Sequence, residues 1–146
     1  MENVRYVYTV GMDDEEVAMR LQDADSGVLS LAADNRAYAI PVHVHYDDES
    51  ERLLFRLSDD GRSEKFEFID STEEATFICY GDEGEDSWSI IARGAIRRLP
   101  DDELPDETTL NTVYRSLRVF DEDIADLKLV PLELVPEKLT GRKTAR

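Results

Sequence analysis

The sequence predicts a mainly β protein, a single small antiparallel β-barrel of six or so strands with a few helices. Three observations carry the β-barrel class. Hydrophobic alternation with a period of two dominates from residue 28 to residue 99. The alternating runs are separated by polar turns of hairpin length, which favours antiparallel pairing. At 146 residues the chain is long enough to bury a core without disulfide or metal staples, and closing the sheet removes exposed strand edges.

The elements follow in order. Residues 4–10 alternate loosely and read as an opening strand or a lead-in. Asp13, Asp14, Glu15 and Glu16 then open a helix over about 13–25. The acids complement the helix dipole, and Glu16 stands three residues after Asp13 as in a capping box. Val17, Leu21 and Ala24 form its apolar stripe. Residues 28–33 are a strand, residues 33–36 a hairpin turn, and 38–46 a second strand rich in β-branched and aromatic residues. After the polar loop 47–51, residues 52–57 make a third strand. The loop 58–63 leads into a helix over 63–71, and residues 75–80 and 87–99 are two further strands.

Pro105, Asp106 and Glu107 start another helix, with Leu110, Val113, Tyr114 and Leu117 on one face. Residues 127–135 are the last strand, where Pro131 points to an edge or a bulge. A basic, mobile tail is expected over 140–146. No internal repeat or domain linker is visible.

Composition narrows the function classes. With 34 acidic residues against 17 Lys plus Arg, the net charge is -17, which repels a nucleic-acid backbone unless a local basic patch intervenes. The acids are dispersed in pairs, and only four of the basic residues are lysines: Lys65, Lys128, Lys138 and Lys143. That pattern reads as a halophilic surface, on which concentrated salt screens the self-repulsion. No apolar run is long enough to span a membrane, the first residues do not read as a secretory signal, and a cytoplasmic location is expected. The single Cys79 cannot form an intramolecular disulfide and lies in an apolar strand, where it reads as a small core residue.

Few residues announce chemistry. His43 and His45, at i and i+2 in one expected strand, would share a face, but the chain supplies no clear third ligand, and no metal site is assigned. The sequence has no nucleophile elbow, Walker loop or dinucleotide fingerprint. The most informative segment is 58–65. Ser58 and Ser63 supply hydroxyls, Gly61 permits a turn, and Arg62 and Lys65 bracket a helix start. A lysine there runs against the helix dipole. An anion held by backbone N–H groups, the hydroxyls and the two cations would resolve the conflict; a capped helix with two surface cations is the plainer alternative.

The stretch 27–99 resembles the FMN-binding split-barrel flavoproteins related to pyridoxamine 5′-phosphate oxidase. The resemblance rests on Gly27-Val28-Leu29-Ser30-Leu31 and on Arg36-Ala37-Tyr38-Ala39-Ile40-Pro41-Val42. It continues in residues 53–58, the Gly61 turn with Ser63-Glu64-Lys65, and Ser87-Trp88-Ser89-Ile90-Ile91-Ala92-Arg93-Gly94. It is nearest to the branch containing the nitroimidazole-resistance proteins, in a haloarchaeal version.

The resemblance implies a six-stranded antiparallel split β-barrel, a homodimer with FMN at the subunit interface. Ser58, Ser63 and Lys65, with Arg62 as an extra cation, match the residues that hold the FMN phosphate. Ile40, Pro41, Val42 and His43 match the strand along the flavin ring. Trp88 and Ser89 match a segment that approaches the flavin, often from the other subunit, and Arg93 matches more loosely. Two departures limit what carries over. Residues 137–143 lack the Arg/His substrate motif of true pyridoxamine phosphate oxidases, and Leu57 stands where many nitroimidazole-resistance relatives have His. Family members also bind F420 or heme, and some bind no cofactor. The resemblance therefore implies an FMN-dependent oxidoreductase with a small-molecule electron donor or acceptor, or a non-catalytic binding or storage module on the same fold. No catalytic residue is assigned.

Overall fold

A computed structural model describes residues 8–59, 61, 64–100, 103 and 128–145. The expected helix beginning at Pro105 lies outside the described residues, as do Arg62 and Ser63.

The chain opens with a short strand, β1 (Thr9–Gly11), and a helix, α1 (Asp14–Asp23). Asp13 caps α1 by accepting the Glu16 backbone N–H at 2.8 Å. The capping box is only half made, because the Glu16 carboxylate accepts from Lys143 Nζ at 2.6 Å and 2.7 Å. Val17 and Leu21 are buried on the inner side of α1.

Strands β2 (Ser26–Ala33) and β3 (Arg36–His43) form a hairpin. Its two turn residues, Asp34 and Asn35, have φ of 52° and 61°, the left-handed pair that suits the twist of a two-residue hairpin. The single strand expected over 38–46 is broken at Val44, whose N–H donates to the Asp25 carbonyl. The remainder is β4 (His45–Asp47), which pairs with β5 (Arg52–Asp59). Helix α2 (Lys65–Ser71) follows, then β6 (Ala75–Glu83), β7 (Asp86–Arg98) and the long β8 (Lys128–Thr144).

The sheet order is β3-β2-β6-β7-β8-β5-β4, with β1 on the free flank of β8. The two ends of this order, β3 and β4, are consecutive in the chain and joined through Val44. Taken as one interrupted strand they close the ring, giving six principal strands with a split where β3 leaves β5. The interior is filled by alternate residues of the six principal strands: Leu29, Leu31, Val42, Leu53, Phe55, Phe77, Ile90, Leu132 and Leu134 are all at most 2% exposed.

Strand β8 departs most from expectation. Of the segment read as a mobile tail, residues 140–144 are paired strand, with Ile91↔Thr140, Ile90↔Gly141 and Ser89↔Arg142 on one side and β1 on the other. Its charges are tied down: Lys143 binds Glu16, and Arg142 donates to Thr9 through Nε at 3.0 Å and through its terminal nitrogen at 2.8 Å. Nor is Pro131 on an edge strand, since β8 lies between β5 and β7. Its carbonyl accepts from Leu99 just past the end of β7, so the missing N–H falls where that ladder stops.

A bulge does occur, but at Glu137. Arg93 pairs with Lys138 and Gly94 with Pro136, leaving Glu137 over. The extra residue switches the inward parity of β8 from Leu132 and Leu134 to Leu139 and Gly141. Gly94 is required there, because a Cβ would sit 1.9 Å from the Val135 carbonyl oxygen.

Candidate functional site

The ten residues proposed to contact a cofactor divide by strand parity and by position. Tyr38, Ile40 and Val42 alternate inward and pack in or against the core. Val42 is 2% exposed, so its side chain serves packing, and Ile40 likewise faces inward. Pro41 and His43 alternate to the outer side. Only these two side chains of the Ile40–His43 run, together with backbone, can meet an external ligand.

His43 and His45 both alternate to the outer side, with Val42, Val44 and Tyr46 buried, but they belong to different strand pairings. His43 pairs with Ser26 in β3, and His45 pairs with Leu54 in β4. The break at Val44 separates them, and His43 Nδ1 donates to the Asp25 carbonyl at 3.2 Å, leaving Nε2 as the acceptor nitrogen.

Ser58 is half-buried near the end of β5 on its outer side, and Lys65 opens α2 with its ammonium 5.7 Å from the centre of the Phe66 ring. The β4–β5 register pairs His45 with Leu54 and Asp47 with Arg52. Continued past Val44, it would set Pro41 against Ser58. Instead β3 turns to pair with β2, while β3 and β5 remain in contact. The Ser58 hydroxyl thus stands at the split.

Two features there were not visible in sequence. The Gly61 N–H donates to Asp59 Oδ1 at 2.8 Å, so this amide is turned to its own strand and not to an anion. Arg56, two residues before Ser58 on the same side of β5, is half-buried, and burial lowers its pKa from the ordinary value. Among the described residues, Ser58 near the end of β5 and Lys65 at the start of α2 are the two members of the expected phosphate cradle.

Trp88 and Ser89, adjacent in β7, face opposite sides of the sheet. Ser89 is outward, in an open pocket of about 230 Å3 lined also by Thr9, Tyr80, Asp82, Ser87 and Arg142. Trp88 lies at the inner rim of the same pocket. Its indole rests against Gly81, and the Arg20 guanidinium lies 4.8 Å from the ring centre. Sequence reasoning missed Arg142 because it treated residues 140–146 as a tail, and Thr9 and Tyr80 because their neighbourhood with Ser89 depends on the pairing of β8. The alternation of Thr140, Arg142 and Thr144 against Leu139 and Gly141 was the available signal. Arg93 is exposed on the outer side of β7, opposite Thr76 and Lys138.

The two clusters sit far apart along one strand. Ser58 pairs with Leu129 of β8, and Ser89 pairs with Arg142 of the same strand. Thirteen residues separate those partners, about 40 Å of strand contour. Between them the outer sheet face carries an apolar row, Pro41, Val28, Ile78 and Ile91, on four adjacent strands. Tyr80 stands beside it, 72% exposed.

This fold and this placement of residues can be compared with known proteins. The family model described as pyridoxamine 5′-phosphate oxidase matches residues 13–143. The chain belongs to the pyridoxamine 5′-phosphate oxidase family. The expected split barrel is thereby shown both by the sheet topology and by similar solved structures.

A FAD-binding protein from Mesorhizobium loti superposes with a TM-score of 0.73 at 18% identity, covering 94% of this chain and 99% of that one. A candidate 5-nitroimidazole antibiotic resistance protein from Bacteroides thetaiotaomicron gives 0.71 at 14% identity, covering 99% and 95%. A FAD- and heme-binding protein from Mycobacterium smegmatis gives 0.66 at 12% identity, covering 92% and 72%. These likenesses speak for the fold of this family member. Comparison with curated proteins gives no match. No helix among the described residues is long and apolar enough to cross a membrane.

Proposed function

We propose that this chain is a flavin-binding split-barrel protein that holds FMN and works as an FMN-dependent oxidoreductase in a homodimer. The observation that carries the reading is membership of this family, with the Ser58 hydroxyl and the Lys65 ammonium on either side of the β5–α2 turn in a chain of net charge -17. A phosphate approaching so acidic a surface needs a local positive site, and Lys65, supported by Arg56, supplies one. Arg62 and Ser63 belong to the same proposed cradle by sequence, although they lie outside the described residues. Flavin-binding relatives of the same fold support the cofactor class.

The other residues have assigned work. Pro41 and the β3 backbone give the isoalloxazine an apolar outer strand to lie along. His43, with Nδ1–H fixed on Asp25, offers Nε2 as a proton acceptor toward the substrate side. Trp88 and Ser89 of β7 and Arg142 of β8 stand at the opposite end of β8 from the partner of Ser58; in this reading they reach the flavin from the second subunit, whose apolar row packs against this one. The flavin, once bound, supplies the electron transfer; the protein binds it, orients it and excludes water.

The test is reconstitution. The purified chain with FMN should retain a yellow cofactor through gel filtration, one per chain. NAD(P)H or another donor should then bleach the flavin band, and an acceptor should restore it over many turnovers. Bound flavin that no donor reduces would leave a storage module. Retention of F420 or heme in place of flavin, or of no cofactor, would overturn the assignment.

A further inference from the structure

A second pocket lies at the other end of the barrel, between α1, the β4–β5 turn and the Glu137 bulge. It holds about 230 Å3. Val17, Ala18, Pro136 and Leu139 give it an apolar wall. Asp14, Asp48, Glu51 and Glu137 stand around its mouth. Between wall and rim is Tyr46, only 6% exposed. No described residue hydrogen-bonds its hydroxyl, which has Glu51 and Asp48 for electrostatic neighbours.

Each of these features has an ordinary reading alone; together they select a ligand. An apolar wall with a buried ring favours a hydrocarbon body. The ring face and four carboxylates favour a positive head. The Tyr46 hydroxyl, held in place by its buried ring, can accept a hydrogen bond from an N–H donor. The α1 N-terminus carries a partial positive charge of about one half, which the four acids outweigh. Lys143 of β8 is already bound by Glu16 of α1, and Lys138, between the lining residues Glu137 and Leu139, is not among the residues that line the pocket. Among the described residues no three His, Cys, Asp or Glu side chains come together as metal ligands, which favours a diffuse organic cation over a chelated ion. Burial and the same carboxylates raise the Tyr46 pKa, Glu51 and Asp48 adding to desolvation, so the hydroxyl keeps its proton.

We infer that this pocket binds a small organic ammonium compound, its carbon chain against Val17 and Leu139 and its N–H groups shared between the Tyr46 hydroxyl and the Asp48 and Glu51 carboxylates. The site is independent of the flavin reading, since it stands at the Arg52 end of β5, away from Ser58.

The test is a titration of the full-length, isotope-labelled protein with n-butylammonium, followed by amide chemical shifts. Saturable shifts should centre on residues 14–18, 46–51 and 136–139, with a Kd on the order of 1 mM or tighter. n-Butanol and butyrate, of the same length but neutral and negative, should bind at least about tenfold more weakly. Tyr46→Phe should weaken n-butylammonium about fivefold, and Glu51→Gln about tenfold. Both changes are nearly isosteric, and the unperturbed amides elsewhere report that the variants are folded. Equal binding of n-butanol, shifts that never saturate, or variants that bind as wild type would each overturn the inference.

Discussion

The Trp88 indole lies against the backbone of Gly81, so closely that a Cβ at residue 81 would come within 2.3 Å of indole Nε1. The two residues are paired across β6 and β7, and the Arg20 guanidinium of α1 lies 4.8 Å from the ring centre. A glycine in the strand thus sets the position of an aromatic side chain at the rim of the candidate site.

Gly81→Ala should push that ring aside. The indole is the far end of a side chain and can rotate, so the stability cost should stay near about 1 kcal/mol. Trp88 is the only tryptophan, and its emission therefore reads this site alone. A red shift with little change in unfolding midpoint is expected; an unchanged spectrum would show that the ring is not held by Gly81.

Cys79 offers a prediction in pH. It is 2% exposed, and burial pushes its thiol from 9.0 up to about 11. The folded state therefore keeps a proton that the unfolded state gives up. The resulting stabilisation is fully present below pH 9 and is lost as pH rises through about 11. Wild type should lose about 3 kcal/mol more than Cys79→Ala across that window. At neutral pH the same variant should cost about 1 kcal/mol and leave cofactor content unchanged. Parallel stability curves for the two proteins, or rapid alkylation of the folded thiol at pH 8, would contradict this placement.

Much of the fold was legible because it rests on alternation. Leu29 and Leu31, or Leu53, Phe55 and Leu57, are strands by period alone, and Asp34-Asn35 is a hairpin turn by residue type. The break at Val44 was not legible: nothing in 38–46 interrupts the β pattern, and the split arises because the two halves pair with different neighbours, β2 and β5. The end of β8 was missed for a related reason. Its inward residues there are Gly141 and Lys143, made acceptable by close packing on Met12 and Val17 and by Glu16, partners far away in sequence. At the candidate site, Ser58 and Lys65 could be read as an anion-binding pair. The inward turn of Val42 and the use of the Gly61 N–H by Asp59 needed the strand register and the loop geometry.

The homodimer should be measurable directly. The outer row of Pro41, Val28, Ile78 and Ile91, with Tyr80 beside it, is the apolar surface a second copy would cover. Light scattering in molar salt should give twice the mass of the 16.7 kDa chain. Ile78→Glu should shift it toward the monomer by placing two like charges in the interface. In dilute buffer wild type should also lose mass, because two chains of -17 each repel once screening is removed. A monomer in molar salt would contradict the dimer and, with it, the shared flavin site.

The central claim is that the split of the barrel, at Ser58 and Lys65, holds the phosphate of FMN. The most direct measurement compares FMN and riboflavin on wild type and Lys65→Ala, because riboflavin differs by that phosphate alone. A charge-assisted bond to phosphate is worth about 1.5 to 3 kcal/mol. Lys65→Ala should therefore weaken FMN by roughly one to two orders of magnitude and leave riboflavin affinity and the unfolding midpoint unchanged. Equal FMN affinity in the two proteins, or an equal loss for both flavins, would contradict it.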